Sequence, residues 1–320
     1  MGPTISVIIP NLNGFTMLKA CLKSLSVSLY DKSEILVVDN ASSDRSAVRV
    51  KREFPFVKVI SLDKNRGFSA AANAGIRKAS GEYIFLLNND TVVAPGCISQ
   101  IARYITCVSR KNVGSFQVAM VDYREVEKAD SLGISFDLSF TGYQVGKGEI
   151  FFQGDCPIQE VWGVCAGAGV YKKEMLKDLC VDGDYFDEDF FAFYEDVDLS
   201  ARARLRGWES RLIKNTFVRH VGGGTPLSGY RKNFLLTRNR LFLIVKNAPL
   251  TALRTLVFEG RLVEISKMKH FFLNKEYSSL FGFFCGHFAA VPLLLKMIKK
   301  RRAILSTRKV QRKEIPLWFA

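Results

Sequence analysis

Tyr83-Ile-Phe-Leu-Leu-Asn-Asn-Asp90 is an apolar run that ends abruptly in three polar side chains. On a strand, side chains two apart point the same way, so Asn88 and Asp90 can present two oxygens to one point while Asn89 faces elsewhere. Two hard oxygens suit Mg²⁺ or Mn²⁺, and a cation held by so few protein ligands keeps positions open for the phosphates of a nucleotide diphosphate. The same Asn-Asn-Asp is also good turn chemistry. A second polar concentration, from Phe186 to Leu199, mixes carboxylates with aromatic rings. Aromatic neighbours desolvate a carboxylate and raise its proton affinity, as a general base requires, although Asp196 and Asp198 equally fit as caps of the helix that follows. His220 ends a β-rich run just ahead of Gly222-Gly223-Gly224 and is expected to be exposed at a strand end. Arg238 and Arg240 fall on a helix starting near Tyr230, where two guanidinium groups could clamp phosphates.

These groups need a frame. Ile5 to Pro10 is a β-rich run closed by Pro-Asn-Leu-Asn-Gly, and Leu18, Leu22, Leu25 and Leu29 follow at helical spacing. Glu34 to Asn40 predicts a second strand, with Ser42-Ser43-Asp44 offering the cap of a helix to about Phe54. A strand over Val57–Leu62 and a helix from about Phe68 to Ala79 repeat the pattern before the Tyr83 strand. Such alternation predicts an α/β fold with a mostly parallel central sheet, helices on both faces, and ligands beyond the carboxyl ends of the strands. Asn11, Asp39, Asp63 and Asp90 all fall there. Between the third strand and its helix, Asn65-Arg66-Gly67-Phe68 with the alanines before Asn73 either lets backbone amides approach a phosphate or makes a tight turn with a small-residue helix on the sheet. No G-x-G-x-x-G and no lysine-bearing phosphate loop occurs, which disfavours a Rossmann dinucleotide fold and a nucleotidyltransferase. Small residues between Val161 and Tyr171 predict a strand that something approaches closely, or ordinary tight packing.

The chain of 320 residues carries 46 Lys and Arg against 31 Asp and Glu, a formal +15, which points to an anionic partner. Seven cysteines form no C-x-x-C pair and predict buried reduced thiols, with neither a disulfide framework nor structural zinc. The first residues enter a strand directly, without the pattern of a signal peptide. Leu280 to Ile298 is almost continuously apolar and is followed by Lys299, Lys300, Arg301, Arg302, Arg308, Lys309, Arg312 and Lys313. It falls just short of the roughly 20 clean residues of a spanning helix, so an interfacial segment on an anionic membrane is expected. A soluble helical cap with a solvated basic tail, or a dimer contact and hence a homo-oligomer, are the competing uses of the same stretch. Nucleic acid would accept the charge, but the apolar neighbour favours lipid.

Taken in order, the motifs resemble those of the family 2 glycosyltransferases, inverting enzymes of the GT-A fold, and in particular a rhamnosyltransferase-like branch. Ser6 to Asn11 resembles the opening strand, Val38-Asp39-Asn40-Ala41-Ser42-Ser43-Asp44 the nucleotide-binding strand end, and Asn88-Asn89-Asp90 the metal motif, with Asn where the first Asp stands. Glu195-Asp196-Val197-Asp198-Leu199 resembles the catalytic Glu-Asp motif. The resemblance implies a nucleotide-diphosphate sugar held by Pro10, Asn11, Asn13, Asp39, Asn65, Gly67, Phe68, Asn73, Asn88, Asn89, Arg238 and Arg240. It implies a Mg²⁺ or Mn²⁺ ion on Asp90 and His220, with Asn88 as a further ligand, and Asp196 as base with Glu195 next in rank. A glycan or lipid-linked acceptor in cell-surface polysaccharide synthesis follows, on the cytoplasmic face of the membrane, with a GT-A domain over residues 1–245 and a membrane-associating segment over 246–320.

Overall fold

The structure, a computed structural model, describes residues 2–28, 30–108, 112–137, 139–154, 159–222, 227–248 and 253–310. Leu29, Cys156, Gly223, Gly224, Arg312 and Lys313 lie outside the described residues. The N-terminal half alternates as its β-branched and helical runs dictate: β1 (Ile5–Asn11), α1 (Phe15–Ser26), β2 (Ser33–Asp39), α2 (Ser46–Glu53), β3 (Lys58–Ser61), α3 (Gly67–Lys78) and β4 (Tyr83–Leu87). Next come β5 (Thr91–Val93), α4 (Cys97–Val108), β6 (Val113–Asp122), β7 (Ala129–Ser131), β8 (Ile134–Phe136), β9 (Gly142–Gln144), β10 (Gln159–Val161), β11 (Ala168–Lys172) and α5 (Lys173–Asp178). After a 3-10 turn at Glu188–Phe190, the chain forms α6 (Glu195–Leu205), β12 (Glu209–His220), α7 (Gly229–Asn247), α8 (Leu253–Leu273), α9 (Tyr277–Ala290) and α10 (Leu294–Ser306).

The main sheet runs β10-β12-β6-β11-β4-β1-β2-β3, with β5 on β12 and β7 on β6. It is parallel through β4, β1, β2 and β3 and again between β6 and β12, while β11 runs antiparallel to both its neighbours. Alternate residues of each central strand enter different layers. Val7, Ile9, Val37, Phe85 and Leu87 pack with Leu18 and Leu22 of α1 and Ile98 and Ile101 of α4. Ile8, Leu36, Val38, Ile84 and Leu86 pack on the other face with Ala71, Ala72 and Ile76 of α3. The small side chains of α3 allow close seating: a Cβ on Gly75 would lie 2.4 Å from Ile8 Cγ2.

Residue 245 lies within α7, whose outer side is covered by α9 and α10. The seating of α9 is nearly backbone to backbone. A Cβ on Gly282 would lie 2.2 Å from the Tyr230 carbonyl oxygen, and one on Gly286 2.6 Å from that of Phe234. Glycines four apart present one bare helix stripe, which permits this approach. All six described cysteines are free; Cys21, Cys97 and Cys165 are buried as expected, but Cys107 and Cys180 are exposed and Cys285 is half-buried.

Candidate active site

Strand register brings together residues expected to hold the donor. Asn11 and Asp39 are register partners at the tips of β1 and β2, and β4 on the other side of β1 delivers Asn89. Asn11 accepts from Asn89 Nδ2 at 2.7 Å, and its own Nδ2 lies 3.4 Å from Asp39 Oδ1 and 3.3 Å from Ser42 Oγ. Asp39 also accepts from the Ser42 amide at 3.1 Å. Asn13, in the left-handed region at φ 52°, accepts from the Ser43 amide at 2.7 Å, while Asp44 accepts from the Phe15 amide at the start of α1. Pro10 lies in β1 opposite Val38, and Phe68 packs against the core on the α3 face.

The next loop, expected to help hold the cofactor, is bonded within the protein. Asn65 accepts from Asn40 Nδ2 and from the Gly67 amide, so it shapes its own turn. What approaches Gly67, at φ +84°, is the protein itself: a Cβ there would lie 2.4 Å from the Phe191 carbonyl oxygen. Asn73 is buried, accepts from the Phe186 amide at 2.9 Å and donates to the Phe186 carbonyl at 2.8 Å and Glu188 at 3.2 Å. It pins the Phe186 segment to α3.

Antiparallel pairing of β5 with β12 sets His220 opposite Thr91, and so beside Asp90. His220 Nε2 lies 3.4 Å from Asp90 Oδ2, and Nδ1 lies 2.7 Å from Asp130 Oδ2 on β7. The histidine is therefore clasped, with a side chain 21% exposed, rather than standing free at a strand end. Its burial disfavours the imidazolium, but hydrogen bonds to Asp130 and Asp90 outweigh that and raise its pKa to about 9. Among the described residues no group of three or more His, Cys, Asp or Glu side chains converges as a complete metal cage. One carboxylate and an imidazole that gives up its Nε2 proton while Asp130 keeps Nδ1 would fit a cation that takes its other ligands from a diphosphate. Asn88 is half-buried; its amide donates to the Gly167 carbonyl at 2.9 Å, and a Cβ on Gly167 would lie 3.2 Å from Asn88 Nδ2.

Gly167 belongs to the small-residue strip expected to be approached closely, and the approach comes from both sides. One residue back, the Ala166 amide donates to Asp196 Oδ2 at 3.3 Å. The strip thus joins the Asn88–Asp90 strand end to the start of α6. Asp196 also accepts from the Val197 amide at 2.8 Å and is half-buried. Burial raises its proton affinity, held in check by the amides of Ala166 and Val197. Glu195 is buried, with no hydrogen-bond partner for Oε2 among the described residues, and burial followed by the adjacent Asp196 charge pushes its pKa well up. Geometry therefore separates two carboxylates that sequence ranks only by resemblance: Asp196 is reachable and hydrogen-bonded, and Glu195 is enclosed.

The turn before α6 is strained, with Phe191, Phe193 and Tyr194 at φ 66°, 69° and 68°. Asn239, not singled out as a site residue from sequence, holds it: Nδ2 lies 2.7–2.8 Å from the carbonyl oxygens of Phe190, Ala192 and Phe193. Arg238 Nη2 donates to the carbonyls of Asp189 and Phe190 at 2.9 and 3.0 Å. Arg240 is buried, bonded to the Ser139 carbonyl and to Glu264. Both arginines, expected to clamp phosphates, here clasp protein backbone, with donors directed at carbonyls of the folded chain. Asp130 was the other omission, and only the pairing of β7 with β6 reveals it.

This sheet, with polar residues gathered past its strand ends, is the GT-A fold of nucleotide-sugar transferases. Residues 6–179 match the family described as glycosyl transferase family 2, and the chain belongs to that family. It is 29% identical over 194 residues to the uncharacterized glycosyltransferase YwdF of Bacillus subtilis (strain 168), covering 60% of this chain and 65% of that one. It is 34% identical over 104 residues to the poly-beta-1,6-N-acetyl-D-glucosamine synthase of Staphylococcus aureus (strain COL), covering 28% of this chain and 24% of the synthase. The chain thus spans less than two thirds of either relative. Among solved structures, the mannosyltransferase PcManGT from Pyrobaculum calidifontis, in complex with GDP-Man and Mn2+, aligns with a TM-score of 0.54 at 16% identity, over 96% of this chain and 84% of that one.

Proposed function

We propose that the protein transfers a sugar from a nucleotide-diphosphate donor to a hydroxyl of a glycan or lipid-linked acceptor, with inversion at the anomeric carbon. The observation that carries this reading is the Cys165–Gly167 strip, which sets a reachable, hydrogen-bonded Asp196 against the strand end bearing Asp90. Asp196 takes the proton of the acceptor hydroxyl as its oxygen attacks the anomeric carbon from the face opposite the diphosphate. One base suffices for inversion, so no covalent intermediate is needed. Asp90 and His220 would hold a Mg²⁺ or Mn²⁺ ion, which when bound supplies positive charge against the departing diphosphate. Asp39 and Asn11 would receive the nucleoside. The metal- and GDP-Man-bound structure of PcManGT supports the cofactor assignment by fold.

The acceptor belongs at a membrane in this reading. Phe272, Leu273, Phe281, Phe288 and Leu295 of α8–α10 are 64–79% exposed, and Lys299 and Arg302 lie exposed nearby. The continuous stretch Tyr277–Ser306 is long and apolar enough to cross a bilayer by length and composition. Crossing would strip Gly282 and Gly286 from α7, so a peripheral placement on an anionic inner leaflet is the better fit. A donor panel including dTDP-rhamnose, UDP-sugars and GDP-mannose, read by nucleoside-diphosphate release with Mg²⁺ or Mn²⁺, tests the activity. Acceptor-dependent release from one donor is expected; no release from any donor, with lipid-linked glycan supplied, rejects it.

A further inference from the structure

α10 sets two lysines, one buried and one exposed, against the turn that precedes Asp196. Lys300 is 5% exposed, and its ammonium lies 2.6 Å from Asp187 Oδ1 and 2.6 Å from Asp189 Oδ2. Lys296, one helical turn earlier, lies 2.6 Å from Asp189 Oδ1. On the far side, Lys246 of α7 reaches the other oxygen of Asp187 at 2.5 Å and Asp198 of α6 at 2.7 Å. Asp187 also accepts from the Asp189 amide at 3.0 Å, which caps the 3-10 turn. An unbroken chain of ion pairs therefore runs from α10 through the turn to α7 and α6, bracketing the left-handed Phe191–Tyr194 segment at both ends.

Attraction to lipid does not account for this arrangement, since a lysine turned inward and paired is lost to a membrane. Nor is it bland packing: buried charges stay favourable only while every partner is present, which makes the chain a geometric constraint more than a reservoir of stability. We propose that Lys300 is a positioning residue for glycosyl transfer: by gripping Asp187 and Asp189, α10 fixes where the strained turn sets Asp196 against the acceptor hydroxyl. The proposal rests on Asp196 being the base. It gives the C-terminal helices a part in the chemistry in addition to attachment.

The test uses the full chain with the donor that the panel selects, comparing Lys300→Met, Lys300→Arg and Lys296→Met with the parent. Misplacing a catalytic group by about 1 Å can cost as much as 10²-fold. Lys300→Met is accordingly expected to lower kcat at saturating acceptor by about tenfold or more with donor KM unchanged, because the donor side is built on other strands. Lys300→Arg, which keeps the charge, is expected to recover most of the loss, and Lys296→Met, an exposed arm of the network, to cost about threefold. An unchanged kcat in Lys300→Met, a donor KM that rises in step with the loss, or an arginine variant as poor as the methionine one overturns the proposal. Should Lys300→Met fail to fold, Lys296→Met and Asp189→Asn decide, and normal kcat in both overturns it. Asp196→Asn run alongside separates the two claims: full activity there removes the base, whereas its loss beside a normal Lys300→Met removes only the positioning role.

Discussion

At the tips of β1, β2 and β4, the polar side chains are mostly amides and hydroxyls that bond to one another across neighbouring loops, with Asn11 as the hub between Asn89, Asp39 and Ser42. The turn ahead of α6 is held differently, by buried charges and one amide arriving from helices 49 to 113 positions further along the chain. The first arrangement follows from strand register and needs little beyond its own sheet. The second leaves a strained backbone dependent on α7 and α10, so the proposed acceptor side is exposed to distant change in a way the proposed donor side is not.

The deepest break in that contrast removes one charge from each half. Asp196→Asn is expected to retain donor affinity and lose transfer by about 10²-fold or more, the scale of a positioned general base. Asp90→Ala is expected to do the opposite, abolishing cation-dependent donor binding by calorimetry with Mn²⁺. Near-normal turnover in the first, or unchanged metal-dependent affinity in the second, removes the corresponding residue from its role.

A finer division follows from the two hub amides. Asn239→Ala frees three carbonyls and a strained turn, so a stability loss of about 2 kcal/mol in urea titration and a fall in kcat without a change in donor KM are expected. Asn11→Ala is expected to raise donor KM and leave kcat near normal. Equal effects on both constants in both variants would erase the distinction between the halves.

The same contrast explains what the sequence made legible. The strands, and the placement of Asn11, Asp39 and Asp90 at their tips, follow from local runs with a period of two, which any window of eight residues displays. Asp130 sits in a three-residue strand with no pattern of its own, and its partner His220 is 90 positions away. Arg238 and Arg240 were visible as residues but not as orientations: guanidinium groups suit phosphates and backbone carbonyls alike, and only the packed helix shows which they meet. The strained turn was hidden because its left-handed residues are Phe191, Phe193 and Tyr194, types that give no hint of positive φ. Gly282 and Gly286 are a missed signal of a different kind, since spacing of four in an apolar helix already announces a close helix neighbour.

The smallest expected effect belongs to the charge that serves the donor-side sheet. Glu34 at the start of β2 bonds to Ser6 Oγ at 2.6 Å, Lys58 at 2.7 Å, and the amide and hydroxyl of Ser80 at 2.7 Å, tying β2 to β1, β3 and the end of α3. Burial favours its neutral form, but the Lys58, Ser6 and Ser80 bonds outweigh that and lower its pKa from 4.5 to about 2. A carboxylate whose folded pKa is depressed contributes stability that is fully present above its unfolded value and lost as pH falls through the folded one. Glu34→Gln keeps the shape and an acceptor for the serines, so a loss of about 1–2 kcal/mol is expected at pH 7. In urea titrations the gap from the parent should stay constant above about pH 5 and narrow from there toward pH 2, with kcat and donor KM untouched throughout. A gap independent of pH would mean that packing rather than charge is at stake. A change in kcat would mean that the sheet and the Asp196 turn are coupled, and that the two halves are less separate than their bonding suggests.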